Sequence, residues 1–141
     1  MANVMMDTMI NASAVAVWQT VSDFNGLPTY IEAISHSVLT GSGVGATRTL
    51  TLTDESIIIE KLENMHGETT RELRYSIVSS PLPLEDYNAT MRVLELEENK
   101  CLLLWSSTFK PKGVSEEEAA KIIRGIYSMG FEGLKKLLEH H

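Results

Sequence analysis

Apolar and polar residues along this chain follow two different spacings. Through the middle of the sequence they alternate with a period of two, which is typical of strands with one buried face, and residues 47–53 show it most plainly. Short turn-forming spacers separate the later apolar runs, so hairpins and an antiparallel sheet are expected. The predicted strands are residues 4–10, 38–39, 47–53, 56–64, 71–79, 86–96 and 101–109.

Helical spacing and helix-start residues predict three helices. Ser13 is a suitable N-cap for a short helix that ends near Asp23, and Pro28 suits the first turn of a second short helix over residues 27–34. Ser115 and Glu118 form a capping box before the third helix, whose broad apolar face continues for about six turns. That face consists of Ala119, Ile122, Ile123, Ile126, Tyr127, Gly130, Phe131, Leu134 and Leu137.

These elements together predict an α+β fold in a chain of 141 residues, of which 43% are hydrophobic, enough for one core without disulfides. A strongly twisted sheet of this size curls, and one amphipathic helix laid across its concave face covers the core only in part. We therefore expect a single domain over residues 1–137, with a cavity between the sheet and the long C-terminal helix.

Charge and composition narrow the range of partners. The formal net charge of -7, with no concentrated basic patch, argues against nucleic acid and anionic lipid surfaces. No apolar stretch approaches the ~20 residues that span a bilayer, and the N-terminus lacks the positive region of a signal peptide. The single cysteine, Cys101, can form neither an internal disulfide nor a thiolate zinc site. A cytoplasmic protein is expected.

Histidines offer little metal-binding chemistry. Residues 138–141 resemble the start of a Leu-Glu-polyhistidine purification tag, which leaves only His36 and His66 of the four histidines for a site. These two fall in separate predicted loops or strand ends, without a histidine or carboxylate at ligand spacing. We predict no metal and no cofactor.

An ordered series of short motifs runs along the chain. They occupy residues 11–18, 23–28, 43–50, 60–62, 75–77, 81–83, 87–90 and 105–109, followed by the long helix. In order and spacing they resemble the polyketide cyclase/dehydrase branch of the START-like (SRPBCC) superfamily. The resemblance implies a helix-grip fold, in which a curved seven-stranded antiparallel sheet surrounds the C-terminal helix and two short helices follow the first strand. It also implies a cavity for hydrophobic or aromatic molecules, in which some members catalyse cyclisation or dehydration.

Two charged residues fall among apolar neighbours on predicted strands. Arg48 shares a strand face with Leu50 and Leu52, and Glu60 shares one with Ile58. If these faces point inward, the two charges must pair, because an unpaired buried ion costs several kcal/mol. The alternative is that the opposite faces point inward and both charges are solvated. Arg48 and Glu60 are also the candidate acid and base for any catalysis.

Aromatic residues on the strands provide candidate cavity walls, since a ring with a polar tip can contact and orient a flat ligand. Ordinary core packing explains any one of them equally well. Tyr30 stands near the expected cavity mouth, where the resembling family often has tryptophan. The predicted ligand-binding residues are Phe24, Leu27, Tyr30, Arg48, Glu60, Tyr75, Tyr87, Trp105, Phe109 and Met129.

Glycines cluster in two places. Gly41, Gly43 and Gly45 run into a strand rather than a helix, so they predict a flexible connection or lid, not a phosphate-binding loop. A second group, Gly125, Gly130 and Gly133, interrupts the long helix. These predict close contact with the sheet, space for a ligand beside Met129, or a helix bend.

The leading functional hypothesis is a binding protein for a small hydrophobic or aromatic, lipid- or polyketide-like metabolite. The alternative is a cyclase, aromatase or dehydratase acting in the same cavity, and the sequence does not decide whether the protein is an enzyme. A regulatory module with a closing loop around Gly43 is a third hypothesis. A monomer or weak homodimer is expected.

Overall fold

The computed structural model describes residues 1–67 and 70–139. Its helices are α1 (Ala14–Ser22) and α2 (Glu116–Leu138), with a short 3-10 helix at Leu27–Thr29. Its strands are β1 (Ala2–Ile10), β2 (Ile34–Thr40), β3 (Thr47–Leu52), β4 (Ile57–His66), β5 (Glu72–Ser79), β6 (Leu84–Glu97) and β7 (Lys100–Pro111).

Within the described residues, seven strands form one sheet in the order β1-β7-β6-β5-β4-β3-β2, and every neighbouring pair is antiparallel. Register shifts leave additional residues in β2, β4, β5 and β6, and such bulges bend a strand and increase its twist. The curved seven-stranded sheet with a long C-terminal helix is therefore confirmed.

The helix starts follow from their capping residues. Ser13 Oγ accepts a hydrogen bond from Ala16 N at 3.1 Å, and Ser115 Oγ accepts one from Glu118 N at 3.1 Å. Such bonds satisfy backbone N–H groups that have no partner inside the helix. No described helix is both long and apolar enough to cross a membrane.

The second short helix is much shorter than expected. Only Leu27–Thr29 is helical, and the prediction that the helix reaches residue 34 is wrong. The chain turns at Ile31, whose carbonyl accepts from Ile34 N at 3.0 Å, and Ile34 already pairs with Leu52 of β3. Tertiary pairing of a β-branched residue therefore overrides the weak local helix signal.

Two glycines allow α2 to lie very close to the rest of the fold. A Cβ on Gly130 would stand 2.7 Å from Cζ3 of Trp105, and one on Gly133 would overlap the carbonyl oxygen of Tyr30. A Cβ on Gly125 would meet no atom of the described chain within 4 Å. Close contact therefore explains two of the three helix glycines, and Gly125 has no packing role.

The end of α2 remains part of the packed structure. Leu138 packs against the core, and Glu139 Oε2 accepts a hydrogen bond from Asn11 N at 2.9 Å. His140 and His141 lie outside the described residues, so the assignment of residues 138–141 to a tag stays a prediction.

Candidate ligand-binding cavity

A small, partly open cavity of about 50 Å³ lies between α2 and the concave face of the sheet. This volume has room for about one or two water molecules. The wall is apolar apart from one carboxylate and the polar tips of three aromatic rings. It is formed by Leu27, Ile31, Ile34, Leu50, Ile58, Glu60, Tyr75, Ile77, Leu82, Tyr87, Trp105, Ile123 and Ile126.

Arg48 and Glu60 face each other across β3 and β4 as directly paired residues. Glu60 Oε1 lies 2.9 Å from Arg48 Nε and 2.7 Å from Arg48 Nη2. Their side chains are only 3% and 10% exposed, so the alternative in which both charges are solvated is wrong. The inward-facing ion pair, one of the two alternatives, is what the structure contains.

Phe24 contacts Arg48 on the side of the guanidinium that faces away from Glu60. Its carbonyl accepts from Arg48 Nη1 at 2.9 Å, and its ring lies 3.8 Å from Arg48 Cζ. The Tyr75 ring is a second aromatic neighbour, at 5.0 Å from the same atom. Each guanidinium nitrogen is therefore engaged, and the segment after α1 is fastened to the sheet by a cation–π contact and a hydrogen bond.

The hydrogen-bonding capacity of the Glu60 carboxylate is only partly used. Both contacts from Arg48 reach Oε1, and within the described residues Oε2 makes no hydrogen bond. The register with β5 shifts between Ile59 and Glu60, where Val78 of β5 is the additional, unpaired residue, so the bulge lies on the strand opposite Glu60. Burial raises the pKa of the Glu60 carboxyl, and the positive charge of Arg48 opposes that effect only in part.

Tyrosine hydroxyls form a buried hydrogen-bonded chain beside this carboxylate. Trp105 Nε1 donates to the Tyr75 hydroxyl at 3.0 Å, which lies 3.2 Å from the Tyr87 hydroxyl. The Tyr87 hydroxyl is in turn hydrogen-bonded to that of Tyr127 on α2. Burial raises the pKa of all three tyrosines, so the phenols stay protonated and act as neutral donors and acceptors.

The hydrogen-bonded chain of tyrosine hydroxyls ends at Tyr127, which contacts residues of β7. Trp105 stacks on Tyr127 with ring centroids 4.1 Å apart. The buried Ser107 hydroxyl makes no regular hydrogen bond within the described residues, although it lies near enough to lower the pKa of Tyr127 against the larger effect of burial. Tyr127 was not among the predicted site residues, but its position on the apolar face of the helix pattern could have identified it.

The structure brings most of the predicted residues together around the cavity. Leu27, Glu60, Tyr75, Tyr87 and Trp105 form part of its wall. A second layer lies just behind this wall: Phe24 and Arg48 support Glu60, Phe109 packs 6.2 Å from Tyr87 between ring centroids, and Tyr30 is buried under Gly133.

Met129 does not belong with this group. It is 42% exposed, because two helical residues separate it by about 200° from the inward-facing Tyr127. Met129 therefore does not line the cavity, and its contact with a ligand stays a prediction. The wall residues that sequence reasoning missed are mainly isoleucines. Only their place in the strand alternation or in the helical spacing indicated that they face inward.

The glycine loop before β3 does not reach the cavity. Gly41, Gly43 and Gly45 all have positive φ, between 66° and 95°, which explains glycine at each position. Gly45 N donates to Leu62 O at 2.8 Å and fixes the loop to β4. No residue of this loop contributes to the described wall, and its role as a lid stays a prediction.

A larger groove, about 890 Å³, crosses the outer face of the sheet. It is open to solvent, and exposed polar side chains such as Asn88, Thr108 and Arg74 form much of it. Its wall lacks the enclosed apolar surface that surrounds a small hydrophobic ligand. The smaller internal cavity is therefore the better candidate.

Comparisons with known proteins identify the family. The sequence profile described as polyketide cyclase / dehydrase and lipid transport matches residues 1–139. No curated protein sequence matches the chain. The solved structure of the protein XoxI from Bacillus cereus is similar at 38% identity and a TM-score of 0.92, with 100% of both chains covered.

More distant structures share the fold alone. A START superfamily protein from Mycobacterium smegmatis is 13% identical, with a TM-score of 0.83 over 99% of this chain and 98% of that one. Norcoclaurine synthase from Thalictrum flavum, solved with dopamine and hydroxybenzaldehyde, is 18% identical, with a TM-score of 0.72 over 96% of this chain and 84% of that one. The chain belongs to the polyketide cyclase / dehydrase and lipid transport family, whose profile matches residues 1–139.

Proposed function

We propose that this protein binds a small hydrophobic or aromatic molecule, polyketide- or lipid-like, between α2 and the sheet. The observation that supports the proposal is a small apolar cavity whose wall contains one carboxylate with a free oxygen, Glu60, beside hydrogen-bonded tyrosines. Ligand sites commonly combine an apolar wall with a few polar groups that fix orientation.

The buried polar groups are costly features for a core. Desolvation of an ion pair such as Arg48 and Glu60 offsets much of its attraction, and apolar residues of similar volume are often as stable. A ligand-orienting role accounts for this expense, because a polar group inside an apolar pocket discriminates strongly between ligands that can and cannot pair with it.

The cavity must enlarge to admit a ligand. Pockets that hold drug-sized molecules measure about 300–1,000 Å³, against about 50 Å³ here. Leu27 and Ile31, on and just after the 3-10 helix, and Leu82, between β5 and β6, contribute wall from outside regular strands. We propose that these segments move outward when a ligand enters, since connections between elements open at lower free energy than paired strands.

Isoleucine methyl groups provide a direct test with naphthalene as the probe. Of the ten isoleucines in the chain, the described wall contains Ile31, Ile34, Ile58, Ile77, Ile123 and Ile126. In a titration followed by methyl NMR, ring currents from bound naphthalene should shift these six signals. Ile57 and Ile122, adjacent in sequence but exposed, serve as internal controls. Saturable shifts confined to the controls, or no shifts, would reject the proposal.

Catalysis is the second candidate, supported by the unbonded Oε2 of Glu60 and the raised pKa of that carboxyl. A carboxylate of this kind can remove the proton next to a ketone, and a neighbouring phenol can donate to the departing hydroxyl. With 4-hydroxy-4-phenylbutan-2-one, dehydration would give the conjugated enone and water, measured by ultraviolet absorbance. Turnover that disappears in Glu60→Gln, with naphthalene binding retained, would establish an enzyme; absent turnover in the wild type leaves a binding protein.

A further inference from the structure

We propose that the cavity selects uncharged or cationic molecules that carry an O–H or N–H donor, and that it excludes carboxylates. This inference rests on the proposed function and specifies the ligand class for the same site. It follows from which charges line the wall and which hydrogen-bonding atoms are still free.

The charge of the wall is one-sided. Glu60 is the single charged residue in the described wall, which contains no lysine, arginine or histidine. Arg48 lies behind Glu60, and its Nε and Nη2 are directed at Glu60 Oε1 while Nη1 donates to Phe24 O. A carboxylate ligand would therefore meet a like charge, without a free cation, in surroundings that water does not screen.

The free hydrogen-bonding atom at Glu60 is an acceptor. Oε2 makes no hydrogen bond among the described residues, so a ligand donor would complete its bonding. Tyr75 stands on the same inner face, because Leu62 pairs with Tyr75 while Glu60 pairs with Ile77. The Tyr75 oxygen already accepts from Trp105, and its hydroxyl is hydrogen-bonded to Tyr87. Glu60 is therefore the group on this side that most needs a partner from the ligand.

Three probes of similar shape test separately whether the ligand must carry a donor and whether it must lack a negative charge. At about pH 8, where an ordinary carboxyl is ionised, 2-naphthol offers a donor, 2-methoxynaphthalene offers only an acceptor and 2-naphthoate is an anion. Calorimetry gives the dissociation constants, and the cavity isoleucine methyls locate the bound probe. We expect 2-naphthol to bind most tightly and 2-naphthoate to bind at least about tenfold more weakly, the penalty for an unpaired buried charge.

Glu60→Gln should reverse the preference. The variant removes the carboxylate but leaves Arg48 buried, so a carboxylate ligand would supply the missing negative charge. We expect the ratio of 2-naphthoate to 2-naphthol affinity to rise at least about tenfold, by the same charge pairing. Glu63→Gln is the matched control: Glu63 lies on the same strand, its side chain is 40% exposed, and the ratio should stay at the wild-type value.

The outcomes are distinguishable. If 2-naphthoate binds the wild type as tightly as 2-naphthol, charge exclusion is overturned while the proposed function stands. If 2-methoxynaphthalene equals 2-naphthol, the donor requirement is overturned. If none of the three probes shifts the cavity methyls, the proposed function fails and the inference fails with it. The wild-type ranking needs no variant, so a Glu60→Gln protein that does not fold leaves the test intact.

Discussion

The carbonyl oxygen of Tyr30 occupies the space that a side chain on Gly133 would need. This contact fixes the C-terminal half of α2 against the segment that follows the 3-10 helix. Because Ile31, one residue further, is part of the cavity wall, the helix and the cavity cover are joined at this point. The arrangement makes Gly133 a sensitive position in a helix where alanine would otherwise be preferred.

Gly133→Ala should therefore destabilise the protein. Helix propensity favours alanine by about 1 kcal/mol, but the overlap with backbone atoms of Tyr30 forces the helix to move, and overpacking costs about 1–3 kcal/mol. We expect a net loss of unfolding free energy in urea titrations. Gly125→Ala is the control, since its Cβ would meet no described atom, and it should be about 0.5–1 kcal/mol more stable than the wild type. Equal effects at both positions would contradict the close contact.

Removing one member of the buried ion pair should cost far more than removing both. Arg48→Met leaves the Glu60 carboxyl buried without its cation, and such changes cost about 3–5 kcal/mol of unfolding free energy. The double variant Arg48→Met, Glu60→Leu should recover most of that loss. Lys110→Met tests an exposed pair, 3.4 Å from Asp86, and should change stability by less than about 1 kcal/mol. A double variant as unstable as the single one would show that the pair itself stabilises the fold.

The pH dependence of stability should reveal the state of Glu60. Burial raises its pKa in the folded protein above the ordinary 4.5, so the folded state holds the proton more tightly than the unfolded chain. The favourable contribution of that proton is present in full below the ordinary pKa and is lost as pH rises through the folded pKa. The stability of the wild type relative to Glu60→Gln should therefore fall as the pH rises above 4.5 and through the raised pKa of the folded state. A rise in relative stability with pH would mean that the positive charge of Arg48 lowers the pKa of Glu60 by more than burial raises it.

Cys101 should be chemically inert in the folded protein. The side chain is fully buried, and burial raises the pKa of its thiol to about 11. Because the thiolate is the reactive form, native protein should react with Ellman's reagent only as fast as it unfolds. In urea the same thiol, the only one in the chain, should react at once. Rapid labelling of the native protein would contradict this burial.

Sequence patterns determined the elements and their order. Alternating or apolar runs between turn-forming spacers located all seven strands, most of them to within two or three residues, and the Ser115 cap with its apolar face located α2. These signals are local, since a half-buried strand or helix must show its own period whatever it packs against. The motif order supplied the family and the curved sheet around the helix.

Tertiary structure alone decided which faces point into the cavity and how much space remains there. Either face of β3 and β4 was a possible inner face, and only packing under α2 placed Arg48 and Glu60 inside. The same packing turned Met129 outward and brought Tyr127 to Tyr87 across 40 residues. Such contacts join segments that are distant in the chain, so the local spacing of apolar residues carries no signal for them. A cavity was expected from the predicted elements, but its small size depends on how closely the distant segments pack.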